Sequence, residues 1–545
     1  MGKKVGGRTY YYLVTSGRVD GGPRIVSQRY LGSAEQIDAA TRGATSEPAR
    51  TRHLAFGAVA AVWATLDRIG LARIVDEVVG GGRAKVSVGT YLALAVLHRA
   101  VGARTTARLA EWWPGTAADR FVRPKLDPEA LSQRRFLRAL DQLTEAHLER
   151  IDAAVFNVMT SQFGLGTEVL AVDLPHFGTF VNATGDGAPS TDASLVGLAL
   201  AVTRAGAVPL LSHVYPRSRQ GSVAFGELMD RLVTRHRQLV GEGAVTVVFD
   251  AGQYAQFEVV AEPGRHFVGA LPGGDHPDLL SLPAATLRPL RPGRFHAVSA
   301  VESRANVFRA NRRVVLVRSA TLRAAQARGF TQAVSDASRR LDGLAASLAA
   351  GRFRESREKV LAEIARITRF RFGDRVLSTT LTGSRPGEFR LAYHVDEAAA
   401  RRLDDDVFGR QLLVTDHEDW SVPEVITAYR ARYHLESTFR VFDDPYVSAF
   451  SEAWKWNDRR IAVHARIRVL AATITHLMRH QAHQAGIDLS VRELLDQLAG
   501  IEETQLTYPS TGGRPRVRRH LTERDATRQR LFDLFGLADL APHPA

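Results

Sequence analysis

The chain has 545 residues, of which 45% are hydrophobic and 24% are charged, a composition that excludes a disordered or collagen-like chain. Lys and Arg total 72 against 58 Asp and Glu, giving a formal net charge of +14 and a sequence pI near 10.3. That excess predicts a polyanionic partner, either nucleic acid or an acidic membrane surface. Cysteine is absent, which excludes disulfides, thiolate metal sites, iron–sulfur clusters and a cysteine nucleophile.

The apolar runs in the sequence are too short to cross a membrane. The longest are residues 55–66 and 195–202, whereas a membrane span needs roughly 18 residues. The opening stretch, MGKKVGGRTYYYLV, lacks the apolar segment of a signal peptide. We therefore expect a soluble, cytoplasmic protein, associated with the nucleoid and without a membrane partner, that has about three or four domains.

The first 165 residues change from a strand pattern to a helix pattern. Residues 8–31 alternate in strand fashion around a turn at 19–23, which predicts a β-hairpin followed by a linker, together covering 1–50. From 51 to 165 apolar residues recur at helical spacing, as at Leu92, Val96, Leu140 and Leu143. This stretch predicts a helical N-terminal domain.

Beyond residue 165 short apolar runs are followed by helical stretches, which predicts an α/β multidomain chain. Strands are predicted at 169–172, 195–202, 209–214 and 245–249, and a helix at 225–239. Residues 291–410 differ and predict a β-rich insertion, with strands at 314–317 and 389–393 around a charged helix at 333–367. Ser421 as N-cap and Glu424 in the first turn predict a helix at 423–442, and another follows at 458–484.

Two aspartates are candidates for metal-dependent chemistry. Asp173 and Asp250 each stand directly after an apolar strand, so each carboxylate is placed on a rigid platform at a sheet edge. Carboxylate oxygens with open water positions suit Mg²⁺ or Mn²⁺. The alternative is that each aspartate only caps a turn.

A third acid, Glu436, lies on a predicted helix. Tyr429, Arg432, Glu436 and Arg440 are three or four residues apart and so line one helical face. The alternative is a solvated pair between Arg432 and Glu436.

The spacing Tyr429-x₂-Arg432-x₃-Glu436 resembles the Y-(2)-R-(3)-E-(6)-K signature of bacterial insertion-sequence transposases. Several stretches are similar to the insertion sequence 4 and insertion sequence 1634-like group of that family. They are PRIVSQRYLGSAEQI, VVFDAGQYAQFEVV, GRHFVGALPGGDHPDLL, TDHEDWSVPEVITAYRARYHLESTFR and YPSTGGRPRVRRHLTE, which together span nearly the whole chain.

This resemblance implies a ribonuclease-H-like catalytic core with an Asp-Asp-Glu triad of Asp173, Asp250 and Glu436 that binds Mg²⁺, with Mn²⁺ as the alternative ion. It also implies DNA contacts from Tyr429, Arg432 and Arg440. The core would comprise 166–290 and 411–485, and residues 291–410 would be the insertion between the second Asp and the Glu. Residues 51–165 would be a helical DNA-binding domain, and 486–545 would form a basic C-terminal segment. We expect the hairpin and helical region together, 1–165, to recognise the terminal inverted repeats. The partners would be terminal and target DNA, bound by a homodimer in the synaptic complex.

Three positions depart from the family pattern. Asp443 stands where the signature has Lys, and an aspartate there would repel phosphate. The loop 185–192 lacks the expected basic residues, and Pro216-Arg217-Ser218 replaces a Pro-Gly-Asn turn. Two alternatives to an active transposase therefore stay open: a decayed or repurposed transposase that binds DNA without transposing, and a metal-dependent nuclease.

Two arginine-rich stretches have two interpretations each. Residues 366–372 interleave Arg with Phe, which suits base stacking or, equally, a buried strand with arginines at its edges. Seven arginines within 514–530 suit either DNA backbone contact or a solvated surface.

Overall fold

A computed structural model describes the chain over residues 1–19, 22–35, 37–38, 47–82, 84–102, 109–166, 169–172, 176–177, 196–203, 206–216, 230–231, 233–239, 245–249, 266–291, 295–431, 458–509 and 515–542. The chain folds into two compact units. Met1–Val158 and Thr438–Ala545 form the first, which we call the terminal unit, and Met159–Ser437 forms the second, the central unit.

The central unit contains a sheet of ten strands. Along the sheet the order is β11-β12-β13-β16-β10-β9-β5-β7, with β6 and β8 both paired to β7. The strands are β5 Val169–Val172, β6 His176–Phe177, β7 Val196–Thr203, β8 Pro209–Pro216, β9 Val245–Phe249, β10 His266–Leu271, β11 Arg288–Pro289, β12 Val298–Val307, β13 Ala310–Ser319 and β16 Arg410–Thr415.

Three neighbouring strands, β5, β9 and β10, are parallel, and every other pair in this sheet is antiparallel. All five residues of β9 are buried, as expected of an apolar Val/Phe-rich strand inside a parallel stretch. The carboxyl ends of β5, β9 and β10 therefore lie at one edge of the sheet, which we call the carboxyl edge. The predicted strands at 169–172 and 245–249 are confirmed to the residue.

The insertion predicted as β-rich contains more helix than strand, which corrects that part of the prediction, whereas the strands expected near 314–317 and 389–393 and the helical stretch near 333–367 are present. Its first two strands, β12 and β13, extend the large sheet, and residues 320–408 then form a subdomain with its own core around Leu341, Ile364 and Phe389. Alanine and leucine are strong helix formers, and Ser319 caps the long helix by accepting a hydrogen bond from the Leu322 amide. The elements are α8 Ala320–Ala349, α9 Arg357–Thr368, α10 Gly373–Val376, β14 Leu377–Thr382, β15 Arg390–Val395 and α11 Glu397–Asp406.

The subdomain begins and ends at the same place. The Ser319 amide donates to the Gly409 carbonyl at 2.9 Å, and β13 and β16, which flank the subdomain, are antiparallel neighbours. The helix that follows β16, α12, covers 422–431 in the described residues and begins at Ser421 and Glu424 as predicted, with the Ser421 amide and hydroxyl both donating to Glu424 Oε2. The rest of the helix predicted at 423–442 lies outside the described residues. One further short helix of the central unit is α7 Pro277–Leu280.

The terminal unit combines helices with two three-stranded sheets. The hairpin predicted at 8–31 is confirmed and gains a third strand, in the order β1-β2-β3, while β4 pairs with the C-terminal strands in the order β18-β17-β4. The strands are β1 Gly2–Val5, β2 Arg8–Val19, β3 Gly22–Ser33, β4 Arg50–Ala55, β17 Glu502–Tyr508 and β18 Arg516–Leu521. The helices are α1 Gly57–Ile69, α2 Leu71–Val79, α3 Val88–Val101, α4 Leu109–Trp112, α5 Gln133–Leu140, α6 Glu145–Phe163 (which runs on into the central unit), α13 Asp458–Gln484, α14 Val491–Ala499 and α15 Ala526–Leu534.

The core of the terminal unit is centred on α3. Leu92, Leu94, Val96 and Leu97 are fully buried, so this helix is apolar around most of its surface and is enclosed by its neighbours, α13 among them. No helix among the described residues has the length and apolar content needed to cross a membrane.

One glycine of the central sheet gives a test of the packing. Gly269 in β10 pairs with Phe249 in β9, and a Cβ at 269 would overlap the fully buried Phe249 ring. We expect Gly269→Ala to destabilise the protein by about 1–3 kcal/mol through overpacking. The matched control is Gly329→Ala on α8, where a Cβ meets nothing within 4 Å, and this change should stabilise by about 0.5–1 kcal/mol. Urea unfolding of both variants measures the two effects, and equal effects would contradict this packing.

Candidate active site

The two candidate aspartates follow strands that the structure places side by side. β5 and β9 are parallel neighbours in which Val172 pairs with Val248, and they end at Val172 and Phe249. Asp173 and Asp250 are the next residues in the chain. Both aspartates lie outside the described residues, as do Glu436, Arg432, Arg440 and Asp443. The structure therefore brings together the strand ends that lead into these two acids, and the acids themselves stay predictions.

The helix leading toward Glu436 returns to the same carboxyl edge. β16 runs antiparallel to β10, with Leu412 opposite Leu271, so β16 starts beside the carboxyl end of β10. Near the end of the described part of helix 422–431, Gln411 Nε2 donates to the Tyr429 hydroxyl at 3.1 Å. Because Gln411 is the second residue of β16, this bond fixes the last described turn of the helix at the carboxyl edge.

Tyr429 was predicted to contact DNA, and the structure gives it another environment. Its side chain is buried, with 3% exposure, and its hydroxyl accepts the hydrogen bond from Gln411. Its neighbour Arg430 lies over the Phe295 ring, with the guanidinium carbon 5.7 Å from the centroid. The burial gives Tyr429 a packing role in this conformation, and its contact with DNA stays a prediction.

A cluster of His266, Asp416 and His417 occupies the opposite edge of the sheet. His266 begins β10 and Asp416 directly follows β16, so the antiparallel pairing of these strands brings both to the amino end of β10. The ligand-capable atoms of the three residues lie within 4.8 Å of one another. No sequence pattern indicates this cluster, because 150 residues separate His266 from Asp416. A local signal was present in the run Asp416-His417-Glu418-Asp419 after a buried strand.

A buried arginine, Arg313, connects β13 by hydrogen bonds to the turn that follows β16. Arg313 in β13 is 5% exposed and donates to both carboxylate oxygens of Glu302, at 2.8 and 3.0 Å. These hydrogen bonds lower the pKa of Glu302. The Nη1 atom of Arg313 donates to the carbonyl oxygens of His417, at 3.0 Å, and Trp420, at 2.5 Å. Arg313 thus fixes the turn that precedes helix 422–431.

The arginine-rich C-terminal segment is part of a folded sheet and helix. Glu503, fully buried, accepts hydrogen bonds from Arg120 and Arg519, both at 2.7 Å. The other described arginines of 514–530 also contact protein groups: Arg516 and Arg518 lie over the Tyr508 ring, Arg524 over Phe532, Arg528 near Asp525, and Arg530 on the Ala485 carbonyl. Structural contacts therefore account for much of this basic run.

The Arg/Phe run at 366–372 has its aromatic rings inside the insertion subdomain. Phe370 lies 6.2 Å from Phe330, and Phe372 lies 6.0 Å from Phe408, between ring centroids. Arg369 and Arg371 are exposed beside them. The structure therefore favours core packing over base stacking for these two rings.

One family model and solved structures show similarity to this chain. Residues 51–156, about a fifth of the chain, match the family model DUF4277, a domain of unknown function. No curated protein matches the chain. Among solved structures, the chain aligns with a piggyBac transposase in a synaptic complex with hairpin DNA. The alignment covers 81% of this chain and 78% of that chain, with 10% sequence identity and a TM-score of 0.32. At that TM-score the alignment does not establish a shared fold.

Two arginines that hold the turn after β16 give a matched test. We expect Arg313→Met to destabilise the protein by about 2–3 kcal/mol, because the buried carbonyls of His417 and Trp420 lose their donor. Arg304 pairs with Glu418 of the same turn at 2.6 Å, but both side chains are more than half exposed. Arg304→Ala should therefore cost less than about 1 kcal/mol. Urea unfolding of the full-length chain compares them, and a larger loss in Arg304→Ala would refute the bracing role of Arg313.

Proposed function

We propose that this chain is a DNA transposase that cuts and rejoins the ends of an insertion sequence, with Asp173, Asp250 and Glu436 as its metal-binding acids. The observation that carries the proposal is the convergence of three described segments at the carboxyl edge: the end of β5, the end of β9, and the turn of helix 422–431 that contains Tyr429. The ends of β5 and β9 are followed directly by Asp173 and Asp250, and Tyr429 lies seven residues before Glu436 in the sequence.

The strand order supports a ribonuclease-H-like core. β5, β7 and β8 form an antiparallel meander, and β9 and β10 extend the sheet from the other side of β5 in parallel orientation. In the order β8-β7-β5-β9-β10, β5 is central, with antiparallel strands on one side of it and parallel strands on the other. In it β5 and β9, the strands that precede Asp173 and Asp250 in the sequence, are neighbours.

The chemistry of the donor set fits Mg²⁺ or Mn²⁺. The three proposed ligands are all carboxylates, and hard divalent cations prefer such oxygen ligands to imidazole or thiolate. When bound, such ions activate a water or a 3′-hydroxyl for attack on a phosphodiester and stabilise the leaving oxygen. The acids hold the ions, and no covalent intermediate with the protein is required, so one site serves both cleavage of an element end and its joining to target DNA.

The basic charge of the chain fits a DNA partner. A net charge of +14 favours binding to the phosphate backbone, which sets affinity, while base contacts would set specificity for the terminal repeats. We assign that recognition to the hairpin and helical region 1–165, and we expect two copies of the chain to hold two element ends together.

A second candidate function rests on Asp443. An acid at a position where the resembling family has a lysine weakens phosphate contact, which favours a repurposed protein that binds DNA without transposing. A nuclease that cuts but does not join is the third candidate. Strand transfer of a pre-cut element end separates the first candidate from both others.

Replacement of one acid tests the assignment. Asp250→Asn should reduce Mg²⁺-dependent cleavage of end DNA by at least about 10³-fold, because a ligated metal supplies several kcal/mol of transition-state stabilisation. DNA binding measured in EDTA should stay within about twofold of wild type, since the carboxylate then has no metal through which to attract phosphate.

The control is Asp278→Asn, an exposed aspartate of the short helix α7, which should cleave at the wild-type rate. Cleavage by Asp250→Asn at the wild-type rate would remove Asp250 from the metal site. Loss of DNA binding together with cleavage would indicate a folding defect, and circular dichroism of the variant identifies that case.

A further inference from the structure

We propose that His266, Asp416 and His417 form a second metal site, one that binds a transition-metal ion of the zinc class. This site is at the amino end of β10, whereas the acids of the proposed active site follow strand ends at the carboxyl edge. The proposal does not rest on the transposase assignment, because its residues, ligand chemistry and readout are all different.

The backbone holds the three residues in place. Val268 pairs with Thr415 in the antiparallel ladder of β10 and β16, so the next residues along each strand, Phe267 and Asp416, also lie opposite each other. The Phe267 amide donates to Asp416 Oδ1 at 2.7 Å, which fixes the carboxylate. A site built on two paired strands of a sheet is more rigid than one built on a loop.

One pair of atoms in the cluster already has the separation of two metal ligands, and all three candidate ligand atoms lie within 4.8 Å of one another. His266 Nδ1 and Asp416 Oδ2 lie 3.2 Å apart, close to the roughly 3.3 Å between neighbouring ligand atoms of a tetrahedral zinc with bonds near 2.0 Å. His417 Nε2 contacts the Thr246 hydroxyl at 2.9 Å. When the ring donates that hydrogen bond, Nδ1 carries the lone pair, which is how ligating histidines are usually oriented.

Stacking and burial further restrict the His417 ring. It lies on the Trp420 indole with ring centroids 3.6 Å apart and planes within 8°. The His266 ring stacks on it at 4.4 Å, so His266 has to rotate out of this stack before its in-plane lone pair and that of His417 can meet at one ion. The His417 side chain is 5% exposed and that of Asp416 17%, while His266 is 46% exposed, so the cluster is open to solvent on the His266 side. An ion can enter from that side, and a water can complete its coordination.

The donor set selects the ion. Two imidazole nitrogens and one carboxylate suit Zn²⁺ and its neighbours, whereas Mg²⁺ requires mostly oxygen ligands. Asp419 Oδ1 lies 3.7 Å from His417 Nδ1 on a side chain that is 84% exposed, and so can rotate to supply a fourth ligand. A bound ion would fasten the end of β16 to the start of β10 and stiffen the turn before helix 422–431.

Zinc and cobalt binding to the full-length protein test this site. We expect the metal-stripped chain to bind Zn²⁺ in isothermal titration without DNA, and to bind Co²⁺ with the visible absorption bands of a tetrahedral site. Losing one ligand should weaken Zn²⁺ binding at least about 100-fold, the upper end of what loss of an outer-shell partner costs. His266→Ala and Asp416→Asn are the test variants, and Asp416→Asn keeps an oxygen for the Phe267 amide. The matched control is His394→Ala, an exposed histidine on β15 that should bind like wild type.

The outcomes separate this site from the proposed active site. Zn²⁺ binding that is weakened in both test variants, retained in His394→Ala and retained in Asp250→Asn supports the inference. Binding that His266→Ala leaves unchanged overturns it, as does binding that is lost only in Asp250→Asn, which would place the ion among the carboxylates. Thermal melts of the metal-free variants show whether they are folded: a variant that melts like metal-free wild type but binds no Zn²⁺ has lost a ligand and not its fold.

Discussion

The parallel pairing of β5, β9 and β10 is the constraint on which the central unit depends. Parallel neighbouring strands require a crossover connection between them, and as a result all their carboxyl ends lie at one edge of the sheet. β16 pairs with β10 in antiparallel orientation, so the chain runs along β16 from the carboxyl edge to the opposite edge. Helix 422–431 then runs back to the carboxyl edge. The two edges of the sheet therefore carry different residues. Strand ends that precede the candidate acids lie at the carboxyl edge, and the cluster of His266, Asp416 and His417 lies at the opposite edge.

Local patterns in the sequence were sufficient for elements whose physics is local. The strand at 245–249 is predicted to the residue because a run of β-branched and aromatic residues, Val-Thr-Val-Val-Phe, ends abruptly at an aspartate. The long helix predicted at 458–484 is also observed over the same residues. The start of the helix at Ser421 and Glu424 is also confirmed, since a capping interaction involves residues only three apart.

Features that depend on tertiary pairing could not be predicted in the same way. The hairpin of β12 and β13 is strand-like in sequence, but nothing local indicates that it joins the existing sheet instead of starting a β-rich domain. The aromatics at 370 and 372 alternate with arginines, and only the fold shows that their rings face a core. His266 and Asp416 meet because β10 pairs with β16, a contact that no spacing rule contains.

The position of the insertion subdomain has an evolutionary consequence. Since β13 and β16 are antiparallel neighbours whose ends meet through Ser319 and Gly409, residues 320–408 stand where an ordinary hairpin would have a tight turn. Loop-closure entropy rises only slowly with length, so a hairpin can carry a self-contained module in place of two turn residues. Such a module can be acquired, exchanged or lost in a lineage while every strand pair of the central sheet is inherited unchanged.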